Sequence, residues 1–577
     1  KFDFLGLKTL DVIKNAQELI KEIGINIDFN KIGVDDSSTY KMLQDGKSFG
    51  VFQLESGGMQ GAMRQIQPKN IEDLIALVSL YRPGPMENIP LYADVQRGDI
   101  KAEYDHPLME SILKKTNGII IYQEQVMELA RKLSGYSLAS ADLLRRAMGK
   151  KIAEEMTAQT DIFVKGAAAG WVRVTKEDNS TIDMHKLTPV NGTDGKTYNI
   201  SEANDQNIEL ENIGKVVGIE EIKGTKLSTE LSKKIFDKIE AFANYGFNKS
   251  HAAAYAMIAY QTGYLKTHFP YQFMAASMNL DMSNTEKLAK FHIDMVREGL
   301  RIEPPQINVS KATFFVLNPN DNPSVSWALS AIKGVGTDSM TKVVQEREKN
   351  GRFKNLTDFV RRTSTMVNKK AIENLIKAGA LDCFKQNKAT LLSGLPKVIR
   401  GAQGEAKSKD QGQSSMFDIM PTNDVEIMLT DMKELPSYEL LENEFKVLGT
   451  YMNGHPMNEC YDKIPTIKRK TCPINSLFEN GMRLVRKKIK IAGIITDVFV
   501  RQTKADETMA IITVSDPTGC LDVVCFPNDY REFESMIEIG KLRIFHGEAN
   551  VAEGDVKFSM NNIEAINLDY EELLEAV

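Results

Sequence analysis

The chain has 577 residues, a length at which several domains are expected, because a single hydrophobic core rarely grows beyond about 250–300 residues. Its 42% hydrophobic and 26% charged residues exclude a disordered chain, and no apolar run approaches the roughly 18 residues of a membrane span. The formal net charge of -6 argues against a uniformly basic nucleic-acid binder, although local basic clusters can still form a binding surface.

The N-terminus and the cysteines bear on the cellular compartment. Residues 1–7 combine an early acid with a short apolar run and lack a basic leader, so we expect no signal peptide. The chain begins without Met in a strand-like run, and we expect a fragment of a longer protein. None of the cysteines forms a Cys-x-x-Cys pair, and we expect reduced, buried thiols in a cytoplasmic protein at Cys383, Cys460, Cys472, Cys520 and Cys525.

Up to about residue 300 the pattern is mostly helical. Four apolar residues fall at i, i+4, i+8 and i+11, which places them on one helix face, namely Leu231, Ile235, Ile239 and Phe242. A stretch at about 171–224 interrupts this pattern with alternating apolar residues and with Asn-Gly and Asp-Gly turn signals. We therefore predict a small β insert within a large helical region.

The C-terminal half contains short helices, a linker and a run of strands. Short helices are predicted from about 324 to 400, and residues 401–413 have the Lys, Gly, Gln and Ser composition of a flexible linker. From about 485 to 570, short strands separated by turn signals suggest a small barrel, for which we predict an OB-fold. The predicted strands are 489–495, 509–514, 521–526 and 541–546.

Asp3 lies between two phenylalanines in the apolar run at the start of the chain. An unpaired ionised carboxylate in such a run would cost several kcal/mol unless cations or hydrogen-bond donors surround it. The residue alone leaves two interpretations open, a metal ligand and a strand-end aspartate that faces water.

A basic segment at 143–151 reads Leu-Leu-Arg-Arg-Ala-Met-Gly-Lys-Lys. It places Arg146 and Lys150 at i and i+4, a like-charge pair that disfavours an isolated helix by a few tenths of a kcal/mol. An anionic ligand would reverse the sign of that effect. A solvated basic face is the alternative.

Two further segments have an unusual composition. Residues 245–251, Tyr-Gly-Phe-Asn-Lys-Ser-His, join two helical runs with aromatic, basic and hydrogen-bonding side chains, a mixture suited to stacking a base and holding phosphate. Residues 81–85, Tyr-Arg-Pro-Gly-Pro, combine a rigid turn with a cation, although a plain loop also explains such a string.

The segment 332–336, Ile-Lys-Gly-Val-Gly, fits a helix-hairpin-helix because a helical pattern follows it. In that motif Gly334 and Gly336 let backbone amides beside Lys333 approach a DNA phosphate without base contacts. A tight structural turn is the alternative. Residues 378–380 would form a degenerate second hairpin.

The barrel region opens with a cluster of cations at the entrance to its first predicted strand. The cluster includes Arg486, Lys487 and Lys488. Such a cluster is expected for contacts with the backbone of single-stranded nucleic acid, and a solubilising strand edge is the alternative.

Taken in chain order, six segments of this sequence resemble the bacterial DNA polymerase III alpha-subunit family. They are Lys-Phe-Asp-Phe-Leu-Gly-Leu at 1–7, Val-Phe-Gln-Leu-Glu-Ser at 51–56, Tyr-Arg-Pro-Gly-Pro at 81–85, Tyr-Gln-Glu-Gln-Val-Met at 122–127, Arg-Arg-Ala-Met-Gly-Lys-Lys at 145–151 and Tyr-Gly-Phe-Asn-Lys-Ser-His at 245–251. The resemblance extends more loosely through the hairpin region, Gly-Thr-Tyr-Met-Asn-Gly-His-Pro at 449–456 and the barrel. The insert at 171–224 departs from the family pattern, and the resemblance gives it no role.

The expected fold is a multidomain α+β protein. A large, mostly helical fingers domain carries the small β insert, and a helix-hairpin-helix region and a C-terminal OB-fold β-barrel follow it. The resemblance implies the end of a palm at 1–9, fingers at 10–323, tandem helix-hairpin-helix at 324–400, a linker with a clamp-binding motif and a connecting segment at 401–484, and the OB-fold at 485–570.

The implied activity is template-directed DNA synthesis, in which the primer 3′-hydroxyl attacks the α-phosphate of a deoxynucleoside triphosphate with two Mg²⁺ ions. By resemblance, Asp3 is a catalytic palm aspartate that binds one of these ions. The other two palm aspartates of the family are absent from this sequence, so we expect the chain alone not to polymerise. The implied nucleotide-binding residues are Lys1, Arg82, Arg145, Arg146, Lys150, Tyr245, Asn248, Lys249 and His251.

The implied partners are primer-template DNA, deoxynucleoside triphosphates, a sliding clamp (the beta subunit) and other subunits of the polymerase III holoenzyme, with no membrane. Residues 413–417, Gln-Ser-Ser-Met-Phe, resemble the clamp-binding pentapeptide of the family, with Gln413, Met416 and Phe417 as its defining positions. Two large apolar side chains in a flexible polar stretch have no core of their own. A groove on a partner can bury them, and each Å² of apolar surface removed from water contributes about 25 cal/mol of favourable free energy. Packing against a neighbouring domain is the alternative.

A second class of function remains open, a non-catalytic DNA-binding scaffold, because hairpin and OB modules also occur in ligases and repair proteins. The basic segment 145–151 distinguishes the two classes, since a scaffold needs no such cluster at a nucleotide site. A ligase would need an adenylated Lys motif, and the sequence shows none.

Overall fold

The computed structural model describes residues 6–150, 153–200, 209–243, 246–410, 427–477, 487–503, 505–552 and 555–566. The chain divides into two compact units. The first contains Gly33–Lys47 and Met59–Tyr260, and the second contains the described residues of Leu5–Ile32, Ser48–Gly58 and Gln261–Val577. Among the described residues, no helix is long and apolar enough to cross a lipid bilayer.

The first 300 residues fold mainly into helices, as the apolar spacing predicts. Side chains of Asp36 and Asn70 accept hydrogen bonds from backbone N–H groups in the first turns of two of these helices and so fix where they begin. The helices are α1 Lys8–Lys21, α2 Ser37–Gln44, α3 Gly57–Ile66, α4 Ile71–Leu80, α5 Ile89–Arg97, α6 Pro107–Leu113, α7 Gln123–Ser134, α8 Leu138–Lys150, α9 Ala153–Ala169, α10 Thr229–Ala243, α11 Lys249–His268, α12 Pro270–Leu280 and α13 Thr285–Arg297.

The core of the first unit lies among α7, α8, α9 and α10. Ile235 and Ile239 are fully buried there, and Leu231 and Phe242, which share their helix face, pack against the same cluster. The buried partners from the other three helices include Leu129, Leu133, Leu144 and Phe163. Burial of one apolar helix face against its neighbours is the main stabilisation available to such helices.

The insert folds as β structure between α9 and α10. Its strands are β1 Trp171–Lys176, β2 Thr181–His185, β3 Pro189–Asn191, β4 Thr197–Asn199, β5 Glu209–Leu210 and β6 Gly214–Glu221, of which four form a sheet in the order β2-β1-β6-β5 and β3 pairs with β4. Val172 and Val174 alternate with exposed Arg173, so one sheet face covers a small core. The indole N–H of Trp171 donates to the carbonyl of Lys132 at 2.8 Å, which fixes the insert to α7.

In the second unit, a buried ion pair fixes the turn that contains the motif at 51–56. The ammonium of Lys266 lies 2.8 Å from a carboxylate oxygen of Asp294 and donates to the carbonyl of Phe49 at 2.8 Å. Both charged side chains are about 95% buried. The motif therefore has a structural role in this unit, where its residues Val51 and Leu54 are fully buried.

The helix-hairpin-helix region begins after a small sheet of β7 Ile302–Glu303, β8 Phe315–Leu317 and β9 Ser324–Ser326, in the order β7-β9-β8. Its helices are α14 Thr337–Asn350, α15 Leu356–Thr363, α16 Lys369–Lys377 and α17 Lys388–Asp410. After residues 411–426, the chain returns along α17, where Ile427 and Leu429 lie against Gly401 and Gly394. A side chain at either glycine would meet the terminal methyl groups of these residues at 2.6 Å, so they would have to shift to admit it.

The C-terminal part of the second unit is a closed barrel with the strand order β10-β11-β12-β14-β13. Three short helices precede it, α18 Ser437–Leu448, α19 Pro456–Lys463 and α20 Pro465–Lys470, and α21 Pro527–Phe533 lies between β12 and β13. The strands are β10 Lys488–Gln502, β11 Thr508–Asp516, β12 Gly519–Cys525, β13 Leu542–Ala552 and β14 Asp555–Ala565. Only β12 and β14 pair in parallel among these described strands.

The predicted fold class is confirmed, with a helical region, a β insert, a hairpin region and a five-stranded barrel. The four predicted barrel strands correspond to β10–β13, and β14 is additional. A β-bulge displaces β14 by one residue opposite His546 and Gly547, so its buried residues Phe558, Met560 and Ile563 lose strict alternation. The cysteines are all free, but only Cys460 and Cys525 are buried, whereas the other three are half-buried.

Candidate functional site

The turn after α4 positions Arg82 in the first unit. Gly84 adopts a φ of 98°, a conformation that favours glycine, and the turn directs the Arg82 side chain back along the chain. Its Nε donates to the carbonyl of Ser79 at 3.1 Å, and its guanidinium carbon lies 4.3 Å from the centre of the Phe247 ring. Burial holds the pKa of Arg82 below its ordinary value. The stacked position is suited to a cation–π interaction.

Two segments more than 120 residues apart pair at the beginning of α7. The backbone N–H of Phe247 donates to Ile121 at 3.3 Å, and the N–H of Gln123 donates to Phe247 at 2.9 Å. The Gln123 side chain also donates to the carbonyl of Gly246 at 3.0 Å. The motifs at 122–127 and 245–251 are therefore parts of one site.

Glu124 holds the first turn of α11. One of its oxygens accepts a hydrogen bond from the Asn248 side chain at 3.1 Å, and the other accepts from the backbone N–H of Lys249 at 3.1 Å. The Asn248 side chain in turn accepts from the N–H of His251 at 2.9 Å. A carboxylate is stabilised at a helix N-terminus because the helix dipole and unpaired N–H groups favour negative charge there.

A column of planar groups crosses the same region. The ring centres of Phe247 and His251 lie 5.4 Å apart, and those of His251 and Tyr255 lie 4.4 Å apart. Arg82 lies over the Phe247 ring, whereas the rings of Phe247 and His251 meet edge to face at 72°, so the four planar groups form a continuous series of contacts. The column fixes the imidazole of His251 between two aromatic rings.

The cations of the site already contact carboxylates. The ammonium of Lys249 lies 2.9 Å from Glu72 and 5.3 Å from the centre of the Tyr122 ring. Arg145 and Arg146 each lie 2.8 Å from one of the two oxygens of Asp142. Hydrogen bonds from Arg145 are the largest cause that lowers the pKa of Asp142. Asp142 therefore offsets part of the positive charge of the basic segment.

Buried polar groups lie around this surface. Asp73, next to Glu72, accepts hydrogen bonds from Tyr92 at 3.2 Å and Gln96 at 3.1 Å. The hydroxyl of Tyr122 is buried and has no hydrogen-bond partner among the described residues. Burial, and then the charges of Glu72, Asp73 and Glu124, raise the pKa of Tyr122. The Tyr122 hydroxyl is therefore kept neutral beside three acids.

The structure brings together Arg82, Asn248, Lys249 and His251 through the contacts above. Arg145 joins them because it donates to the Gln123 side chain at 3.4 Å, and Arg146 joins them through Asp142. Lys1, Asp3 and Tyr245 lie outside the described residues, as does the side chain of Lys150. Sequence reasoning missed the acidic partners Glu72, Glu124 and Asp142. Asp142 had a local signal, since it lies one helical turn before Arg146.

Hydrogen bonds to two other segments hold the backbone of the first predicted hairpin. Lys333 donates its N–H to Val447 at 2.9 Å and accepts from the Asn374 side chain at 2.7 Å. Gly334 has a φ of 76°, and Gly336 is the N-cap of α14. Gly334 fits the requirement of the motif for glycine, whereas Gly336 has an ordinary φ of -80°.

The second predicted hairpin uses its backbone to end α16. Gly379 and Ala380 donate to Ile376 at 3.0 Å and Leu375 at 2.9 Å, the pattern of a helix C-cap. A side chain at Gly379 would meet Asp382 at 3.0 Å, so an acid lies at the tip. Lys388 lies 3.7 Å from Asp382, so the tip carries a cation as well as an acid.

The predicted basic entrance of the barrel is partly balanced by acids. Lys488 pairs across the sheet with Glu548, and Lys490 lies 3.9 Å from Glu564. Lys487 is exposed, and Arg486 lies outside the described residues. Gln413, Met416 and Phe417 also lie outside them.

Comparison with protein families gives three matches in chain order. Residues 9–170 match the bacterial DNA polymerase III alpha subunit finger domain, residues 299–391 match a helix-hairpin-helix motif, and residues 489–566 match an OB-fold nucleic acid binding domain. The finger-domain match ends immediately before β1, the first strand of the insert.

Curated relatives align with nearly the whole chain. The DNA polymerase III subunit alpha of Caulobacter vibrioides is 37% identical over 98% of this chain and 44% of the relative. The protein of the same name from Thermus aquaticus is 37% identical over 92% of this chain and 39% of the relative, and that of Escherichia coli K12 is 34% identical over 99% and 45%. The chain thus spans less than half the length of these relatives.

Proposed function

We propose that this chain, which belongs to the DNA polymerase III alpha-subunit family, supplies the nucleotide-binding surface of a DNA-directed DNA polymerase. In the proposed reaction the primer 3′-hydroxyl attacks the α-phosphate of a deoxynucleoside triphosphate. The observation that carries the proposal is the meeting of Arg82, Lys249 and His251, which come from two separate sequence motifs, in one site of the first unit.

The cations of this site are suited to a triphosphate. Arg82, Arg145, Arg146 and Lys249 carry charge that pairs strongly with phosphate oxygens, and arginine does so through two parallel hydrogen bonds. The column of Phe247, His251 and Tyr255 offers planar faces beside them. The proposed nucleotide-binding set also contains Lys1, Lys150, Tyr245 and Asn248.

Two Mg²⁺ ions belong to the proposal through the family resemblance, with Asp3 as a ligand of one. Such ions stabilise the attacking and leaving oxygens of a phosphoryl group. Among the described residues, no group of three or more His, Cys, Asp or Glu is placed to hold a metal ion. The described part of the site therefore contributes cations and hydrogen-bond donors to the proposal.

The hairpin and the barrel are proposed to hold primer-template DNA through its backbone. Gly334 and Gly336 allow close approach of a phosphate beside Lys333, and Arg486, Lys487 and Lys488 supply cations at the barrel. Such contacts position DNA without reading its sequence. Binding of a sliding clamp through Gln413, Met416 and Phe417, association with other holoenzyme subunits and a cytoplasmic location are parts of the same proposal.

The test is steady-state kinetics of the complete alpha subunit that contains this chain. Arg82→Ala and Lys249→Ala should each raise KM for all four deoxynucleotides by about tenfold or more, because each removes a charged hydrogen bond to phosphate. The matched control is Lys238→Ala, which removes an exposed cation that pairs with Asp105 in the same unit. Unchanged KM in both site variants would contradict the proposal.

A non-catalytic DNA-binding scaffold is the alternative, and the hairpin and barrel favour it equally well. The two functions differ in one measurement. In a scaffold, Arg82→Ala would leave both DNA binding and nucleotide binding at parental levels, since no nucleotide site exists.

A further inference from the structure

In the described part of the site, two carboxylates hold three of the cations. Glu72 holds Lys249 at 2.9 Å, and Asp142 holds Arg145 and Arg146 at 2.8 Å each. All five side chains remain between about one third and two thirds exposed, so a ligand from solvent can reach them. These pairs lie at the surface where a triphosphate is proposed to bind.

Carboxylate and phosphate oxygens compete for the same donors. An ammonium or guanidinium that contacts a carboxylate presents fewer N–H groups to a phosphate, which uses the same geometry. Partly exposed ion pairs contribute little to stability and exchange readily with water and ions. A triphosphate can therefore displace them without opening a core.

Lys249 does not depend on Glu72 for its position. Its backbone N–H is held by Glu124 at 3.1 Å, and its ammonium lies over the Tyr122 ring at 5.3 Å. Loss of the Glu72 charge would leave these two contacts in place. Glu124 and Tyr122 therefore position the lysine, whereas Glu72 neutralises its charge.

Another acid of the same unit shows what a structural pair looks like. Asp105 holds Lys234 and Lys238 and is only 13% exposed, compared with 38% for Glu72 and 31% for Asp142. A buried carboxylate is costly to strip of its partners, whereas a half-exposed one is rehydrated. The exposure of Glu72 and Asp142 suits groups that release their cations during function.

We infer that Glu72 and Asp142 are internal counterions, carboxylates that occupy the cations of the nucleotide site until a triphosphate displaces them and that return when pyrophosphate leaves. The inference rests on the proposed function. It makes Glu72 and Asp142 determinants of affinity that weaken the binding of both the nucleotide and the pyrophosphate product. They act on the nucleotide and on pyrophosphate only through Lys249, Arg145 and Arg146.

The experiment uses the complete alpha subunit on primer-template DNA. Glu72→Gln keeps the shape of the side chain and removes its charge, so KM for deoxynucleotides and the inhibition constant of pyrophosphate should both fall by about three- to tenfold. Asp142→Asn should act in the same direction. The matched control is Glu110→Gln, an exposed carboxylate of the same unit 3.9 Å from Lys114, which should change neither constant.

A double variant tests whether Glu72 acts through the lysine. In a Lys249→Ala background, the effect of Glu72→Gln on both constants should disappear, which a purely structural role would not predict. Thermal unfolding of each variant checks that the fold is intact. A Glu72→Gln protein that is folded and has an unchanged or higher KM would overturn the inference.

The outcomes separate this inference from the proposed function. If Lys249→Ala raises KM and Glu72→Gln does not lower it, the nucleotide site stands and the counterion role is wrong. If Lys249→Ala and Arg82→Ala both leave KM unchanged as well, the nucleotide site itself is wrong.

Discussion

The carboxylate of Glu124 accepts a hydrogen bond from the side-chain amide of Asn248 at 3.1 Å, across 124 positions of the sequence. Its second oxygen accepts from the backbone N–H of Lys249, so one acid fixes the start of α11 and the lysine that follows Asn248. The contact joins two of the motifs that resemble the polymerase family. It gives Glu124 a role that neither motif reveals alone.

Glu124→Ala should therefore destabilise the protein and weaken nucleotide binding together. Two partly buried donors lose their acceptor, which should lower the free energy of unfolding by about 1–3 kcal/mol, and KM for deoxynucleotides should rise. Urea unfolding and steady-state kinetics of the complete subunit measure the two effects. Glu128→Ala, an exposed acid one turn later on α7, is the control, and equal behaviour of the two variants would contradict the role of Glu124.

Arg146→Ala should raise KM for all four deoxynucleotides by the same factor, because contacts with phosphate carry no information about the base. The control is Arg131→Ala, which removes an exposed arginine from α7 in the same unit. Kinetics with each nucleotide in turn make the comparison. A base-dependent change, or kinetics equal to those of the parent, would contradict this role and favour the alternative, in which Arg146 belongs to a solvated basic face.

Gly334→Ala should weaken DNA binding more than its effect on stability explains. A side chain there must adopt a φ of 76° and meets the Asn374 amide at 3.0 Å, at the backbone approach proposed for phosphate. Gly299→Ala is the control, since its φ is 72° and nothing lies within 4 Å. Each variant should lose about 1 kcal/mol of stability. In a titration with duplex DNA, only Gly334→Ala should bind more weakly than the parent. Equal DNA affinities would mean that the hairpin is only a structural turn.

His455 should make the stability of the second unit depend on pH. Burial lowers the pKa of His455 from 6.5 to about 3, and its ring accepts from the N–H of Met457 at 3.1 Å and contacts the Ser515 hydroxyl at 3.1 Å. Below pH 6.5 the unfolded chain takes up a proton that the folded chain does not. The free energy of unfolding should therefore fall with pH between about 6.5 and 3, by about 2 kcal/mol at pH 5.

His455→Asn tests that dependence, because asparagine can still cap α19 but does not titrate. Urea unfolding at pH 7 and pH 5 should show a smaller difference in this variant than in the parent. His268→Asn, a change at an exposed histidine, is the control. If the two variants retain the same pH dependence, His455 does not cause it.

A double change of Met416→Ala and Phe417→Ala should abolish binding of a bacterial sliding clamp to the complete subunit. The two apolar side chains would supply the buried area of a short peptide complex. Met428→Ala is the control, since this methionine lies 11 residues after Phe417 and is 83% exposed. Titration of the clamp, with circular dichroism as the check on folding, decides the question. Parental affinity in the folded double variant would show that this segment is not the tether.

Local patterns in the sequence predicted much of the fold. The spacing of Ile235 and Ile239 places them in one core, and alternating Val172 and Val174 place a strand in the insert, because helix and strand periods are properties of a few neighbouring residues. The local segment Ile-Lys-Gly-Val-Gly likewise predicted a tight turn at Gly334, which has a positive φ. β14 was not predicted, because a bulge removes the alternation on which the prediction depends.

The candidate site divides in the same way. The sequence by itself determined the basic and aromatic segments that contain Arg82, Arg146 and Lys249, since composition marks them without any knowledge of the fold. Only the tertiary structure decided which acids face them. Glu72 meets Lys249 across 177 positions, a pairing that no local pattern encodes, because it depends on how α4 and the start of α11 pack together in the first unit.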